Sequence, residues 1–222
     1  MTEFNFADSS TGRRLPIYLL LDTSSSMGGA PIQAVNQGVV LLYNELMNTP
    51  QAVETCWISV ITFDSTAQQV VALTELTQFT PPPIQANGAT SMGAALDLLG
   101  QSLDREVTGN TGERKGDYKP LIFLLTDGEP TDDWRSALSR LRSRTQKKPA
   151  TIIALGCGVG ANMSTLDQIA DVRLRMVDAT PDNIAAFFKW VSQSVKVASV
   201  SAAGGGGQMD MPAPPPQLTI SI

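Results

Sequence analysis

The sequence predicts a doubly wound α/β fold, in which a mostly parallel β-sheet with one antiparallel edge strand is flanked by helices. Short apolar runs alternate along the chain with amphipathic helical patterns, which is typical of consecutive βαβ units. The first run, residues 16–21, is apolar without interruption, as expected for a strand buried on both faces. A chain of 222 residues is long enough to bury a sizeable core.

Apolar spacing and chain breakers define the elements of the first half. A helix is predicted from Pro31, because proline suits a first turn and apolar residues follow it at helical spacing. Residues 56–63 form the next strand. Residues 67–73 are predicted as the antiparallel edge strand, because the connection between these two runs is too short for a parallel crossover. Prolines 81–83 interrupt regular structure, and a helix is expected to start at Thr90.

The second half continues the alternation after a polar, glycine-rich insertion predicted over residues 104–119. Strands are predicted at residues 120–125, 151–156 and 173–177. Thr131 is predicted to cap the helix that follows the first of these strands.

That helix should carry acidic residues in its first turn and basic residues in its last turn, which complements the helix dipole. The residues concerned are Asp132, Asp133, Lys147 and Lys148. Residues 180–182 are expected to start the final helix, which ends near Val200.

Composition divides the chain into an N-terminal extension (1–14), one folded domain (15–200) and a tail (201–222). In the tail, glycines 204–207 indicate a flexible linker and residues 212–216 a proline-rich extended segment. Residues 217–222 alternate apolar and polar side chains. Two interpretations stay open for them: a disordered terminus, or a strand added to a sheet edge.

The charge balance and the missing histidine exclude several classes of function. A net charge of −5 argues against a nucleic-acid partner and against an anionic membrane surface. With no histidine, Ser-His-Asp and Cys-His catalysis are excluded. Cys56 and Cys157 lie in apolar runs, so we expect buried thiols in a reducing compartment and no disulfide.

No run approaches the 18 apolar residues of a membrane span. The first fifteen residues contain acidic side chains and lack an apolar signal core, so we expect no secretory signal and a cytoplasmic protein.

Three segments that follow predicted strands or precede a helix are rich in oxygen ligands. Asp22, Ser24 and Ser26 alternate after the first strand, so in an extended loop their side chains can reach one centre. Thr90 and Asp127 belong to neighbouring loops at the carboxyl edge of the sheet, where α/β folds bind ligands. Carboxylate and hydroxyl oxygens suit a hard cation such as Mg²⁺. Because these groups leave the cation under-neutralised, an anionic oxygen from a partner is expected to complete its coordination.

The pattern Asp22-x-Ser24-x-Ser26, a later Gly-x-Thr90 and the triplet 126–128 (Thr-Asp-Gly) resembles the metal-ion-dependent adhesion site of the von Willebrand factor A domain. The resemblance covers roughly residues 15–196. It implies that Ser24, Ser26 and Thr90 coordinate Mg²⁺ directly, with Mn²⁺ or Ca²⁺ as alternatives. It also implies that Asp22 and Asp127 often act through water, and that a partner's carboxylate fills the sixth position.

Residues 18–27 and 124–132 also resemble bacterial TerY-like proteins of tellurium-resistance and stress-response systems. That resemblance implies a protein kinase or a PP2C-type phosphatase as a partner. The predicted function is therefore a metal-dependent protein–protein interaction module without enzymatic activity.

Alternative functions rest on single features. Asp22 after an apolar strand is similar to the nucleophile of Mg²⁺-dependent phosphohydrolases, although the second aspartate of those enzymes is replaced here by Ser24. Residues 156–161 match a dinucleotide-binding glycine pattern, but they follow the fifth strand instead of the first. A third alternative is a scaffold that acts through its tail and has a purely structural metal.

Overall fold

The computed structural model describes residues 13–113, 115–149, 151–158, 160–203 and 211–220. Its strands, in chain order, are β1 (Leu15–Asp22), β2 (Cys56–Phe63), β3 (Ala67–Glu75), β4 (Leu121–Thr126), β5 (Thr151–Cys157), β6 (Val172–Met176) and β7 (Thr219–Ile220). Its helices are α1 (Ala30–Met47), α2 (Pro50–Thr55), α3 (Met92–Glu106), α4 (Trp134–Arg142), α5 (Met163–Ile169) and α6 (Pro181–Ala203).

The strands form one sheet in the order β3-β2-β1-β4-β5-β6-β7. The pairs β2–β1, β1–β4, β4–β5 and β5–β6 are parallel, which confirms the predicted fold class. Strand β3 is antiparallel at one edge, as predicted, and β7 adds a second antiparallel edge at the other. The chain leaves β1 for β2 on one side, while β4 lies on the other side. The carboxyl ends of β1 and β4 therefore flank a topological switch point, where such sheets bind ligands.

Two apolar layers cover the sheet. Every residue of β1 is buried, and its side chains alternate between the layers: Ile17 and Leu19 face α1 and α6, whereas Tyr18 and Leu20 face α3 and α4. Helices α1 and α6 touch closely at Gly38, where a Cβ atom would lie 2.0 Å from the ring of Phe188.

The prediction for the fourth helix was wrong at both ends. Asp133, not Thr131, caps α4, and its carboxylate accepts a hydrogen bond from the Ser136 N–H. The helix ends at Arg142, so Lys147 and Lys148 lie beyond it. Lys147 has a φ of 51°, which a right-handed helix cannot contain.

Other boundaries differ by a few residues. Helix α3 begins at Met92, two residues after the predicted start at Thr90, and it continues to Glu106, so the insertion starts later than predicted. That insertion is held to the amino end of β1, since Arg14 donates hydrogen bonds to both carboxylate oxygens of Asp117. Two short helices, α2 and α5, were not predicted.

The structure confirms the predictions of burial and of no disulfide for the two cysteines. Cys56 and Cys157 are free and buried, as predicted, and burial raises the pKa of the Cys56 thiol to about 12.

In the tail, β7 pairs with β6, which favours the strand interpretation. The predicted extension (1–14), apart from Arg13 and Arg14, and the predicted linker (204–207) lie outside the described residues. Within the described part, no helix is long and apolar enough to cross a membrane.

Candidate metal centre

Asp22 ends β1 and is fully buried. Its Oδ1 atom accepts a hydrogen bond from the Ser24 N–H at 2.8 Å, and its Oδ2 atom accepts one from the Thr126 hydroxyl at 2.5 Å. Thr126 ends β4, the neighbouring strand, so one hydroxyl joins the carboxyl ends of the two central strands. These two bonds fix the orientation of the Asp22 carboxylate.

The loop after β1 turns Ser24 and Ser26 toward the same point. Ser24 has an extended conformation (φ −62°, ψ 163°) and is followed by one tight helical turn, Ser25–Met27. The Oγ atoms of Ser24 and Ser26 are 3.0 Å apart, and Ser26 Oγ donates to Asp127 Oδ1 at 2.7 Å. A continuous chain of side-chain oxygens thus links the loop after β1 to the loop after β4.

The third segment, residues 87–91, is fastened to both of these loops and to the β2–β3 turn. The Asn87 N–H donates to Thr23 O at 2.7 Å, and the Ser91 N–H donates to Asp64 O at 2.7 Å. The carbonyl of Thr90 accepts from the Thr131 N–H at 2.9 Å. Thr90 is buried, and its Oγ1 atom lies 3.2 Å from the position of a Cβ atom built on Gly128. Thr90 therefore lies beside Asp127, in contact with the loop that carries it.

The structure thus brings the five predicted residues to one edge of the sheet. Asp22, Ser24 and Thr90 are buried, Asp127 is half-buried and Ser26 is exposed. A ligand bound among them would be held from below by the buried oxygens and would remain accessible from solvent on the Ser26 side.

Two contributors to this arrangement were not among the predicted site residues. Thr126 orients Asp22, and its place directly after the predicted strand 120–125 was a usable signal. Asp132 accepts hydrogen bonds from the N–H groups of Gly93 and Ala94 at 2.8 and 2.9 Å, so it caps α3 from the loop before α4. No local pattern indicates this role, because Asp132 lies 39 residues from Gly93 in the sequence.

Electrostatics favour a cation at this edge. Burial is the main cause that raises the pKa of Asp22, and the nearby charge of Asp127 raises it further; hydrogen bonds from Ser24 and Thr126 act in the opposite direction. Burial also raises the pKa of Asp127, against the hydrogen bond from Ser26. Two carboxylates that are costly to ionise side by side gain stability when a positive charge lies between them.

The donor set fits a hard divalent cation. It supplies two carboxylates and three hydroxyls, which are the oxygen ligands that Mg²⁺, Mn²⁺ and Ca²⁺ accept. In the described ranges no cluster of three or more His, Cys, Asp and Glu side chains could hold a metal, so a zinc site built from those residues is not indicated there. Ligation by Asp22, Ser24, Ser26, Thr90 and Asp127 stays a prediction.

Two alternative sequence interpretations gain no support from the geometry. Both carboxylate oxygens of Asp22 accept hydrogen bonds and the residue is fully buried, which does not suit a nucleophile that must reach a phosphorus atom. The glycine-rich segment after β5 is followed by α5, which begins only at Met163 and is capped by Asn162. The third glycine of that segment therefore does not open a helix as a dinucleotide site requires.

Comparison with known proteins gives a family match over most of the domain. The sequence profile of the von Willebrand factor type A domain matches residues 17–188. A curated protein of Synechocystis sp., named uncharacterized protein sll0103, is 28% identical over 165 residues, which are 71% of this chain and 36% of that protein.

Solved structures show the same fold at low identity. The proximal thread matrix protein 1 of the mussel byssus, with a zinc-occupied MIDAS motif, superposes with a TM-score of 0.59 at 20% identity, over 82% of this chain and 48% of that one. A von Willebrand factor type A protein from Catenulispora acidiphila gives a TM-score of 0.59 at 16% identity, over 83% and 43%. The pilus adhesin SpaC of Lactobacillus rhamnosus GG, in its open conformation, gives 0.65 at 16% identity, over 84% and 30%. The chain thus spans less than half the length of each of these proteins.

Proposed function

The chain belongs to the von Willebrand factor type A domain family, and we propose that it is a protein-interaction module that binds an acidic group of a partner through a divalent cation. Domains of this family commonly use a metal-ion-dependent adhesion site for protein interaction. The observation that carries the proposal is the chain of hydrogen bonds from Asp22 through Ser24 and Ser26 to Asp127, at the switch point of the sheet.

Each residue has a distinct part in the proposed mechanism. Ser24, Ser26 and Thr90 would hold the cation through their hydroxyl oxygens. Asp22, locked by Thr126, and Asp127, bonded to Ser26, would orient those hydroxyls and balance the positive charge. When bound, the cation supplies an electrophilic position for a partner's carboxylate. The exposed Ser26 marks the side from which that carboxylate would approach.

We propose Mg²⁺ as the resident ion, with Mn²⁺ and Ca²⁺ as competitors. Oxygen-only donors favour all three ions over softer metals. Two carboxylates and three hydroxyls leave room for water, which Mg²⁺ retains readily, whereas Ca²⁺ prefers more protein ligands.

The biological setting is a second part of the proposal. The likeness of residues 18–27 and 124–132 to TerY-like proteins supports a role in a tellurium-resistance or stress-response system, with a protein kinase or PP2C-type phosphatase as partner. Two buried, unpaired thiols are consistent with a cytoplasmic location. A binding function without catalysis agrees with the buried, hydrogen-bonded state of Asp22.

Calorimetric titration of the metal-stripped protein with Mg²⁺ and Mn²⁺ tests the site. One-site binding is expected for the wild type and for Asp97→Ala, which removes a carboxylate on α3 that pairs with Arg140. Binding should be lost in Asp22→Ala, while both variants unfold cooperatively. If wild type and Asp22→Ala bind the ion equally well, the proposal is wrong. If the wild type binds no ion even with acetate present as a surrogate carboxylate, it is also wrong.

A further inference from the structure

The outer edge of β6 and the flank of α6 carry a segment of the chain that lies beyond the family match. This segment, residues 211–220, is separated from α6 by residues 204–210. Its last two described residues form β7, in which Thr219 pairs with Arg175 and Ile220 with Leu174 in antiparallel register. The segment therefore lies on the sheet edge as an added strand.

Side chains fix the segment at two further points. Leu218 is only 3% exposed and packs in the same apolar layer as Trp190. The Trp190 Nε1–H donates to Pro212 O at 2.9 Å, and Met211 packs against that layer. Between these points the chain turns, with the Leu218 N–H donating to Pro215 O at 2.8 Å.

These contacts are of the kind that a sheet edge makes with a bound peptide. Backbone pairing gives affinity whatever the sequence, and a pocket for one side chain gives specificity. Leu218 is buried in that apolar layer, which serves as such a pocket, while the next residue, Thr219, is exposed and its hydroxyl donates to Arg175 O. Prolines 212 and 214–216 favour an extended backbone even in a free peptide, so less conformational entropy is lost on docking.

The sheet does not depend on this segment. Strand β6 is paired along its other side with β5 through five residues, Val172 to Met176, so the sheet is continuous up to β6 without β7. A strand added at the edge of a sheet opens at a lower free energy than the central strands do. The segment therefore occupies the β6 edge, and its Leu218 side chain enters the apolar layer from there.

We propose that the β6 edge and the α6 flank around Trp190 form a strand-addition site, which residues 211–220 fill within one chain and which the same segment of a second copy fills in trans. A second copy can repeat the pairing with β6, the burial of Leu218 and the Trp190–Pro212 hydrogen bond without any change of sequence, because each copy carries one site and one segment. Exchange between two copies is reciprocal and closes into a symmetric dimer. This site is independent of the proposed metal centre.

Peptide binding to the full-length chain tests the site. In Leu218→Asp, a carboxylate would have to enter the apolar pocket, so the segment should leave and expose the site. A fluorescent peptide of residues 211–220 should then bind Leu218→Asp at least tenfold more tightly than it binds the wild type or Gln217→Ser, in which the site stays filled. The same peptide carrying Asp at the Leu218 position should bind none of them.

Measurement of the oligomeric state tests whether the segment of a second copy occupies the site. Because the tethered segment competes at an effective concentration of about a millimolar, wild type and Gln217→Ser should form dimers only at high concentration, about hundreds of micromolar. Leu218→Asp should remain monomeric throughout in light scattering after gel filtration.

Three results would overturn the proposal. Equal peptide binding by wild type and Leu218→Asp, or none by either, would show that no such site exists. Loss of cooperative unfolding in Leu218→Asp would show that the segment belongs to the core. A wild type that stays monomeric at millimolar concentration would exclude the second copy as the occupant.

Discussion

Asp132 accepts hydrogen bonds from the N–H groups of Gly93 and Ala94, so a residue of the loop after β4 caps the helix that follows Thr90. The approach is close: a Cβ atom on Gly93 would lie 3.0 Å from Asp132 Oδ2. Together with the bond from the Thr131 N–H to Thr90 O, this contact fixes the Thr90 loop against the loop that carries Asp127. The relative position of two proposed metal ligands thus depends on a carboxylate outside the metal-binding pattern.

Replacement of Asp132 should therefore weaken metal binding. In Asp132→Ala the first N–H groups of α3 lose their acceptor and the Thr90 loop loses an anchor, so we expect affinity for Mg²⁺ to fall about tenfold. Asp132→Asn keeps one acceptor oxygen and should show a smaller loss. Calorimetric titration at 25 °C measures both.

Asp133→Ala is the matched control, because Asp133 caps its own helix α4 through the Ser136 N–H. It should lower the melting temperature about as much as Asp132→Ala does, with metal affinity unchanged. Equal losses of affinity in the two variants would mean that general destabilisation, and not loop position, explains the effect.

Helix α1 can approach α6 only because residue 38 has no side chain. A Cβ atom at this position would lie 2.0 Å from the Phe188 ring, which is itself fully buried. Gly38→Ala should therefore lower the free energy of unfolding by about 2–3 kcal/mol, since the packed core must shift to make room. Urea denaturation measures the change.

Gly109→Ala is the control for the effect that any glycine-to-alanine change has on the conformational entropy of the unfolded chain, because nothing lies within 4 Å of a Cβ atom at residue 109. Its unfolding midpoint should stay close to that of the wild type. If Gly38→Ala has the same free energy of unfolding as Gly109→Ala, helices α1 and α6 can move apart without loss of stability, which would contradict this prediction.

Both thiols should be inert in the folded protein. Burial raises the pKa of Cys56 to about 12 and raises that of Cys157 as well, so at pH 8 almost no thiolate is present to react. We expect Ellman's reagent to modify no thiol of the native chain within an hour and both thiols in 6 M guanidinium. Glutathione at the same pH is the positive control. Rapid modification of a native thiol would contradict the buried placement of these strands.

Strands β1, β2, β4 and β5 were predictable because each one is a compact, largely apolar run. The parallel direction of most strands followed from the helices predicted between them, and the antiparallel edge followed from the short connection before β3. The cap of α4 was not predictable, because Thr131, Asp132 and Asp133 are all good capping residues and only their distant partners distinguish them. Asp132 bonds to a helix 39 residues earlier, which leaves Asp133 to cap α4.

The candidate site was predictable as a set of residues but not as an arrangement. Alternation after β1 indicated that Asp22, Ser24 and Ser26 share one side of the loop. The bond from the Thr126 hydroxyl to Asp22 depends on the register of β1 against β4, in which Leu21 pairs with Leu125. No pattern within either segment encodes that register.

Thr126 provides the sharpest test of this arrangement, because its hydroxyl can be removed without a change of shape. In Thr126→Val the Oδ2 atom of Asp22 loses its donor, so only the Ser24 N–H still holds the buried carboxylate, and its charged form is less stabilised. We expect the affinity for Mg²⁺ to fall by about tenfold or more, as is typical when a residue that orients a metal ligand is replaced. Thr126→Ser retains the hydroxyl and should recover most of the affinity, although it removes a methyl group from the buried end of β4. Equal affinities for Thr126→Val and the wild type would show that Asp22 is oriented without this bond.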